Sequence, residues 1–390
     1  MDFATASTTV SFREEVRSFL REHLTDDVRI RMRETGTMHD WGFHRAMAAK
    51  GWIGAGWPVE EGGQARDAYE LDVLYQEMAA AGAPLDGFSV TMIVAETLRR
   101  IGSPYLRDLI LPRVRAGELV ISLGYSEPDA GSDLISVRTS ARREGDEWVI
   151  DGQKVFTTLA HEAGYIFLLA RTDPEAPPRH GLTMFLVPTD SAGFSLTPIH
   201  TLGGERTNMT FYSGVRIPDA LRVSAVGQGW DTVNLALSFE RGGEFAAQLR
   251  RLSEDVVAWV AADPDRQHSR NLARIGRLAA QVNVARLLGL RATWLRDTDS
   301  TGALEGAMAK VHATEALLAA SGEVLDALGI EGGVADPAVA PLGGHLEHTY
   351  RHAQVTTIYG GTSEILRGVI AERRLGLPRS RPPRHAQSGR

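Results

Sequence analysis

The texture of the chain changes twice, and that change limits its fold more than any single motif does. Between about Leu119 and Val223, short runs rich in β-branched and aromatic residues follow one another: Glu147–Ile150, Lys154–Thr158, Tyr165–Ala170, Leu182–Val187 and Met209–Val215. Turn signals such as Glu144-Gly145-Asp146 and Asp151-Gly152 separate them. On either side the pattern is helical. Phe12, Val16, Phe19 and Leu20 recur at the spacing of one helix face in SFREEVRSFLREHL, with Glu14, Glu15, Arg17 and Arg21 between them. HDWGFHRAMAAKG, AYELDVLYQEMAAAG and VTMIVAETLRRIG predict three more helices, each closed by a glycine able to take the left-handed conformation. The stretch GWPVEEGGQ (Gly56–Gln64) reads as a loop between the first two. Beyond Trp230, Leu272–Trp294 and Ala303–Leu328 are Ala- and Leu-rich and free of proline, which predicts an antiparallel bundle.

This order predicts an α+β multidomain chain: an N-terminal helical domain over 1–118, a middle antiparallel β-barrel or sandwich over 119–228, and a C-terminal four-helix bundle over 229–378. The tail 379–390 is basic and proline-rich, and is expected to be disordered. A net charge of -7 argues against nucleic acid as a partner, since a phosphate backbone calls for a basic face. No apolar run approaches the roughly 18 residues of a membrane span. The N-terminus lacks the basic start and apolar core of a signal peptide, so a cytoplasmic location is expected. There is no cysteine, which excludes disulfides, thiolate catalysis and cysteine-held metals. No strand–GxGxxG–helix unit is present, which argues against a Rossmann site.

The densest motif is LGYSEPDAGSDLIS at Leu123–Ser136. On its residues alone it is either an ordinary polar turn or a cradle in which backbone N–H groups and the hydroxyls of Ser126 and Ser132 meet a planar ligand. Three further blocks follow: DGQKVFTTLA at Asp151–Ala160, GGERTNMTFYSGVRIPD at Gly203–Asp219, and YRHAQVTTIYGGTSEILRGVIAERRLGL at Tyr350–Leu377. In this order the four resemble the signature blocks of the acyl-CoA dehydrogenases, and together they run from Leu123 to Leu377. Gly124, Ser126, Glu127, Pro128, Gly131, Ser132 and Asp133 fit the first block, with Tyr125 as an unusual filler.

The resemblance implies FAD as cofactor and α,β-desaturation of an acyl thioester. It implies that Ser126, beside Tyr125, meets the flavin pyrimidine edge, that Phe156 covers the flavin, and that Thr158 contacts its N5. Phe156 stands where the family has tryptophan; the stacking face is kept and the indole donor lost. Thr362 and Glu364 fall where the family contacts the adenosine half. Ser132, Gly360 and Gly361 fall at the acyl-thioester pocket. The third block is expected to be structural.

The family's usual base is the Glu of Tyr-Glu-Gly-Thr, and here that position is Gly360. A minority of the family places the base beside an arginine on the first long helix of the C-terminal bundle. Glu240-Arg241, in LALSFERGGEFAAQ, matches that position, so the resemblance implies Glu240 as base and Arg241 beside the substrate. The alternative is a helical Glu paired with an Arg at the surface. Two cofactor positions depart from the family. The Arg-x-Phe-Gly stretch is replaced by DPDRQHSRNLARI, which leaves Arg266 or Arg270 as the candidate. Gly329 stands for the Gln before Gly332 and Gly333. Electrons would leave to an electron-transfer flavoprotein or similar acceptor, and a homodimer or homotetramer, or else a hetero-oligomer, is expected. The rival readings are a tailoring enzyme of the same fold, acting on a carrier-protein thioester or using oxygen, and a non-catalytic partner subunit. His345, His348 and His352 share a helical face, but read as polar residues at a bundle end; no metal is expected.

Overall fold

In the computed structural model, residues 6–239, 244–298 and 302–378 are described. Six helices come first: α1 (Ser7–His23), α2 (Asp26–Thr35), α3 (Trp41–Ala49), α4 (Ala68–Ala81), α5 (Asp86–Ile101) and α6 (Pro104–Arg115). Phe12, Val16, Phe19 and Leu20 form the buried stripe of α1, where Phe12 and Phe19 meet the edge of Trp52. Gly51 and Gly82 close their helices with positive φ, as the sequence predicts, but Gly102 is extended at φ -64°. Its amide still bonds back to Leu98, so no left-handed turn is needed there.

Seven strands form one sheet: β1 (Ile121–Gly124), β2 (Ser140–Glu144), β3 (Glu147–Lys154), β4 (Tyr165–Arg171), β5 (Leu182–Pro188), β6 (Phe194–His200) and β7 (Arg206–Pro218). The order is β1-β4-β2-β3-β7-β6, with β5 on β4. Most pairs are antiparallel, but β1 runs parallel to β4, because the chain leaves β1, makes the β2–β3 hairpin, and returns alongside it. Asp151-Gly152 is not a turn. β3 continues through it, and Asp151 faces two residues of β7, Ser213 and Gly214, in a bulge. The Asp151 carboxylate accepts from the Gly214 N–H at 2.7 Å. Nor is Lys154–Thr158 a strand: β3 ends at Lys154 and a strained turn follows.

The remaining helices are α7 (Gly229–Phe239), α8 (Glu244–Ala261), α9 (Ser269–Asp297), α10 (Ala303–Leu328), α11 (His345–Thr356) and α12 (Ser363–Arg373). α10 is central and touches α8, α9, α11 and α12. Leu249, Leu252, Leu278, Ala313, Leu317 and Ala353 belong to its apolar core. The bundle meets the N-terminal helices along α4–α8, where the buried Glu77 carboxylate accepts ion pairs from Arg13, Arg17 and Arg250. Among the described residues no helix is long and apolar enough to cross a membrane.

Candidate active site

The first signature block leaves β1 and folds back on the end of β3. Lys154, fully buried, donates to the Tyr125 carbonyl at 3.0 Å and to Glu127 Oε1 at 2.8 Å. Glu127 also accepts from the backbone N–H of Arg138 and Thr139, at 2.7 and 2.8 Å. Burial pulls the Lys154 pKa down to about 8 against the attraction of Glu127. The Glu of the motif is therefore a clamp, and it holds the turn that carries Ser126. That residue is half-buried, and its carbonyl accepts from the Val155 N–H at 2.9 Å. The Tyr125 ring is buried beside Phe167. Ser132 lies farther along the turn and is exposed.

The turn after β3 presents Phe156 and Thr158. Phe156 is 64% exposed and sits at φ +57°; Leu159 follows at φ +61°. The Thr158 N–H donates to the Phe156 carbonyl at 3.0 Å, and the Thr158 carbonyl accepts from the Ser122 hydroxyl. Thr157 beneath it is bonded to Asn208 of β7. Behind the turn, Trp41 Nε1 donates to Glu162 at 2.8 Å. The rings of His39, Trp41 and His44 pack edge to face there. Burial pushes His39 and His44 down to about 4 and about 3, so both are neutral at pH 7. Burial and then Arg206 lower His161 as well.

At the α11–α12 corner, Gly360 and Gly361 have φ of +65° and +92°, which side chains rarely adopt. The Gly361 carbonyl is pinned by Lys310 Nζ at 2.7 Å. Thr362 caps α12 by accepting from the Ile365 N–H at 3.2 Å, and Glu364 is exposed in its first turn. Gly332 and Gly333 lie elsewhere, in a turn past the C-terminal end of α10. The stretch of α10 from Lys310 to Leu328 separates them from the corner by about 27 Å. Arg266 is folded back on Trp259, its guanidinium 4.8 Å from the ring centre, while Arg270 is exposed at the start of α9. The three histidines of α11 meet carboxylates: His345 pairs with Asp255, and His352 and His348 lie 2.6 and 3.7 Å from Glu205. Among the described residues no three such ligands converge as a metal site.

Tyr125, Ser126, Phe156 and Thr158 are thus brought together, and Gly360, Gly361, Thr362 and Glu364 form a second cluster. Glu240 and Arg241 lie outside the described residues, as does the tail 379–390. The fixing roles of Glu127, Lys154, His161, Asn208 and Lys310 were not read from the sequence. The one signal that could have found them was the presence of Glu127, Lys154 and Asn208 inside the quoted blocks. An exposed aromatic face on a strained, over-bonded backbone, with a threonine hydroxyl two residues on, fits a planar cofactor such as a flavin.

The comparisons agree along the whole chain. Residues 7–118, 122–213 and 227–375 match the N-terminal, middle and C-terminal domains of acyl-CoA dehydrogenase. Acyl-CoA dehydrogenase FadE26 of Mycobacterium tuberculosis is 35% identical over 352 residues, covering 86% of this chain and 87% of that protein. FadE29 of the same organism is 32% identical over 379 residues, covering 94% and 96%. Among solved structures, the "Tcur3481-Tcur3483 steroid ACAD" superposes with a TM-score of 0.92 at 35% identity, covering 97% of this chain and 100% of that one. The ChsE4-ChsE5 complex from Mycobacterium tuberculosis gives 0.88 at 32% identity, covering 97% and 100%. With three domain matches in order and relatives above 30% identity over most of its length, the chain belongs to the acyl-CoA dehydrogenase family.

Proposed function

We propose that this acyl-CoA dehydrogenase removes the α-proton of an acyl-CoA thioester through Glu240 and transfers the β-hydrogen to FAD. The observation that carries the reading is the turn at Phe156–Thr158, strained, exposed and locked against the Ser126 turn. Phe156 would cover the isoalloxazine, with Thr158, Ser126 and Tyr125 along its edge and Thr362 and Glu364 toward its adenosine half. When bound, the flavin supplies the hydride acceptor. Glu240 holds the proton taken from the α-carbon, a role that needs a carboxylate shielded from water beside the thioester. A backbone N–H at the Gly360–Gly361 corner would polarise the thioester carbonyl. Ser132 and Arg241 would line the thioester path. Gly332 and Gly333, far from this corner within one chain, would serve the flavin of a neighbouring subunit. Electrons would leave to an electron-transfer flavoprotein or a similar acceptor.

Two further points extend the reading. Gly360 omits the side chain that most of the family places at the acyl pocket, and a solved relative is a steroid enzyme. Both favour a bulky, fused-ring acyl group. The outer face of α9 carries exposed Leu272, Val284, Leu287 and Trp294 within about a third of the helix circumference, and Ile330 nearby in sequence to its neighbour α10 is 96% exposed. We infer that a chain of the same fold, a second copy or a homologue, covers this face.

The test is anaerobic bleaching of the bound flavin by a panel of linear, branched and steroid-linked acyl-CoAs. Glu240→Gln is expected to keep the flavin spectrum and lose bleaching by any substrate that bleaches the wild type. Undiminished bleaching in that variant defeats the assignment of the base. A chain purified without flavin, and unable to take it up, defeats the reading as a whole.

A further inference from the structure

Phe156 and Leu159 are both in the left-handed region, three positions apart. Backbone of that kind persists in residues with a Cβ only where surrounding bonds over-determine it. Here those bonds converge on Asn208, which is fully buried on β7. The Thr157 N–H donates to the Asn208 carbonyl at 2.9 Å, and Asn208 Nδ2 donates to the Thr157 carbonyl at 3.1 Å. Arg206 Nε and Nη2 donate to Asn208 Oδ1, at 3.3 and 3.2 Å, which fixes the orientation of the amide. The second hydrogen of Nδ2 is then directed to His161 Nδ1, 3.2 Å away. A nitrogen facing a donor must itself be bare. His161 therefore carries its proton on Nε2, which donates to Thr37 Oγ1 at 3.0 Å. Thr37 lies in the corner between α2 and α3, next to Gly36, whose carbonyl accepts from the Arg206 N–H at 2.7 Å.

We propose that His161 is a positioning residue for the flavin-facing turn. By accepting from Asn208 it holds the amide that clamps Thr157, and by donating to Thr37 it ties the turn to the N-terminal helical domain. The inference rests on the flavin reading above and adds to it: the orientation of Phe156 and Thr158 depends on a histidine acceptor that does not itself reach the ligand. Asn208 alone does not suffice. Its amide serves Thr157 with one hydrogen, and without His161 the other is buried and unmade.

The experiment compares His161→Ala, His161→Gln and His161→Asn in the full chain, each stripped of flavin, titrated with FAD, and examined for the visible flavin band. Asparagine keeps an acceptor close to the Nδ1 position. Glutamine reaches toward the Nε2 position and loses that acceptor. Ala and Gln are expected to weaken FAD binding by about tenfold or more and to shift the band, as loss of one buried acceptor implies. Asn is expected to stay within about threefold of the wild type, with its band unshifted. An Ala variant that binds FAD like the wild type and shows its band overturns the inference. So does an Asn variant as defective as Ala, since the acceptor at the Nδ1 position would then not be the property that matters. If Ala does not fold, the contrast between Asn and Gln decides. A wild-type chain that takes no FAD overturns the flavin reading and this inference together.

Discussion

Replacing His44 by leucine is expected to make the protein markedly less sensitive to acid. The His44 ring is 1% exposed, and among the described residues neither ring nitrogen has a hydrogen-bond partner. Burial holds its pKa at about 3, against 6.5 for a free imidazole, with His39 and Arg45 lowering it further. The folded pKa lies below the unfolded one, so the unfolded chain binds the proton first. The stability this group allows is fully present above about pH 6.5 and is lost as pH falls toward 3. Each pH unit in that window costs about 1.4 kcal/mol, so at about pH 5 the loss is about 2 kcal/mol. His39, held at about 4 by burial, adds about as much again at that pH. His44→Leu is close in volume and removes one of the two terms. The assay is urea unfolding of wild type and variant at about pH 8 and about pH 5, comparing the pH-dependent drop rather than either value alone. The variant should drop by about 2 kcal/mol less. At the higher pH it should be about 1 kcal/mol more stable, because two unpartnered buried nitrogens are gone. Equal drops in the two proteins would refute the reasoning.

Lys154→Met strands the buried Glu127 carboxylate and should cost about 3 kcal/mol in urea unfolding. Glu127→Gln should cost only about 1 kcal/mol, since a lysine already held near 8 can shed its proton; a reversed order counts against the clamp. Phe156→Gly relieves a left-handed backbone and should stabilise the flavin-free protein by about 1 kcal/mol while weakening FAD binding; tighter binding would contradict the stacking role. Leu287→Arg, on the exposed face of α9, should lower the mass of the assembly measured by light scattering, and an unchanged mass removes that face from the interface.

Much of the fold was legible where one local rule acted alone. α10 begins at Ala303 and ends at Leu328, as its composition predicts, and the buried stripe of α1 is the one read from its spacing. β2 was missed because its residues are largely exposed and charged, and β6 because its short alternation, Phe194 and Leu196 against Ser195 and Thr197, breaks at Pro198. α2 was missed because only Val28 and Met32 of its ten residues are buried. The site divides along the same line. Phe156 and Thr158 were read from the block they belong to, but the left-handed backbone that presents Phe156 was taken for a strand, since β-branched and aromatic composition does not report φ. His161 and Thr37 are 124 positions apart, and no local pattern announces that pair.

The bulge where Asp151 meets Ser213 and Gly214 acts on β7 as a phase shifter. From Asn208 up to it, the buried positions are even: Asn208, Thr210 and Tyr212. After it they are odd: Val215 and Ile217. One strand can therefore aim Asn208 at the Phe156–Thr158 turn and still bury Val215 and Ile217 in the sheet core. Deleting a single residue there would put one half of β7 on the wrong face whatever side chains it carried. The length of this strand is consequently under tighter constraint than its composition, and Gly214, with open space around a would-be Cβ, marks where the extra residue is kept.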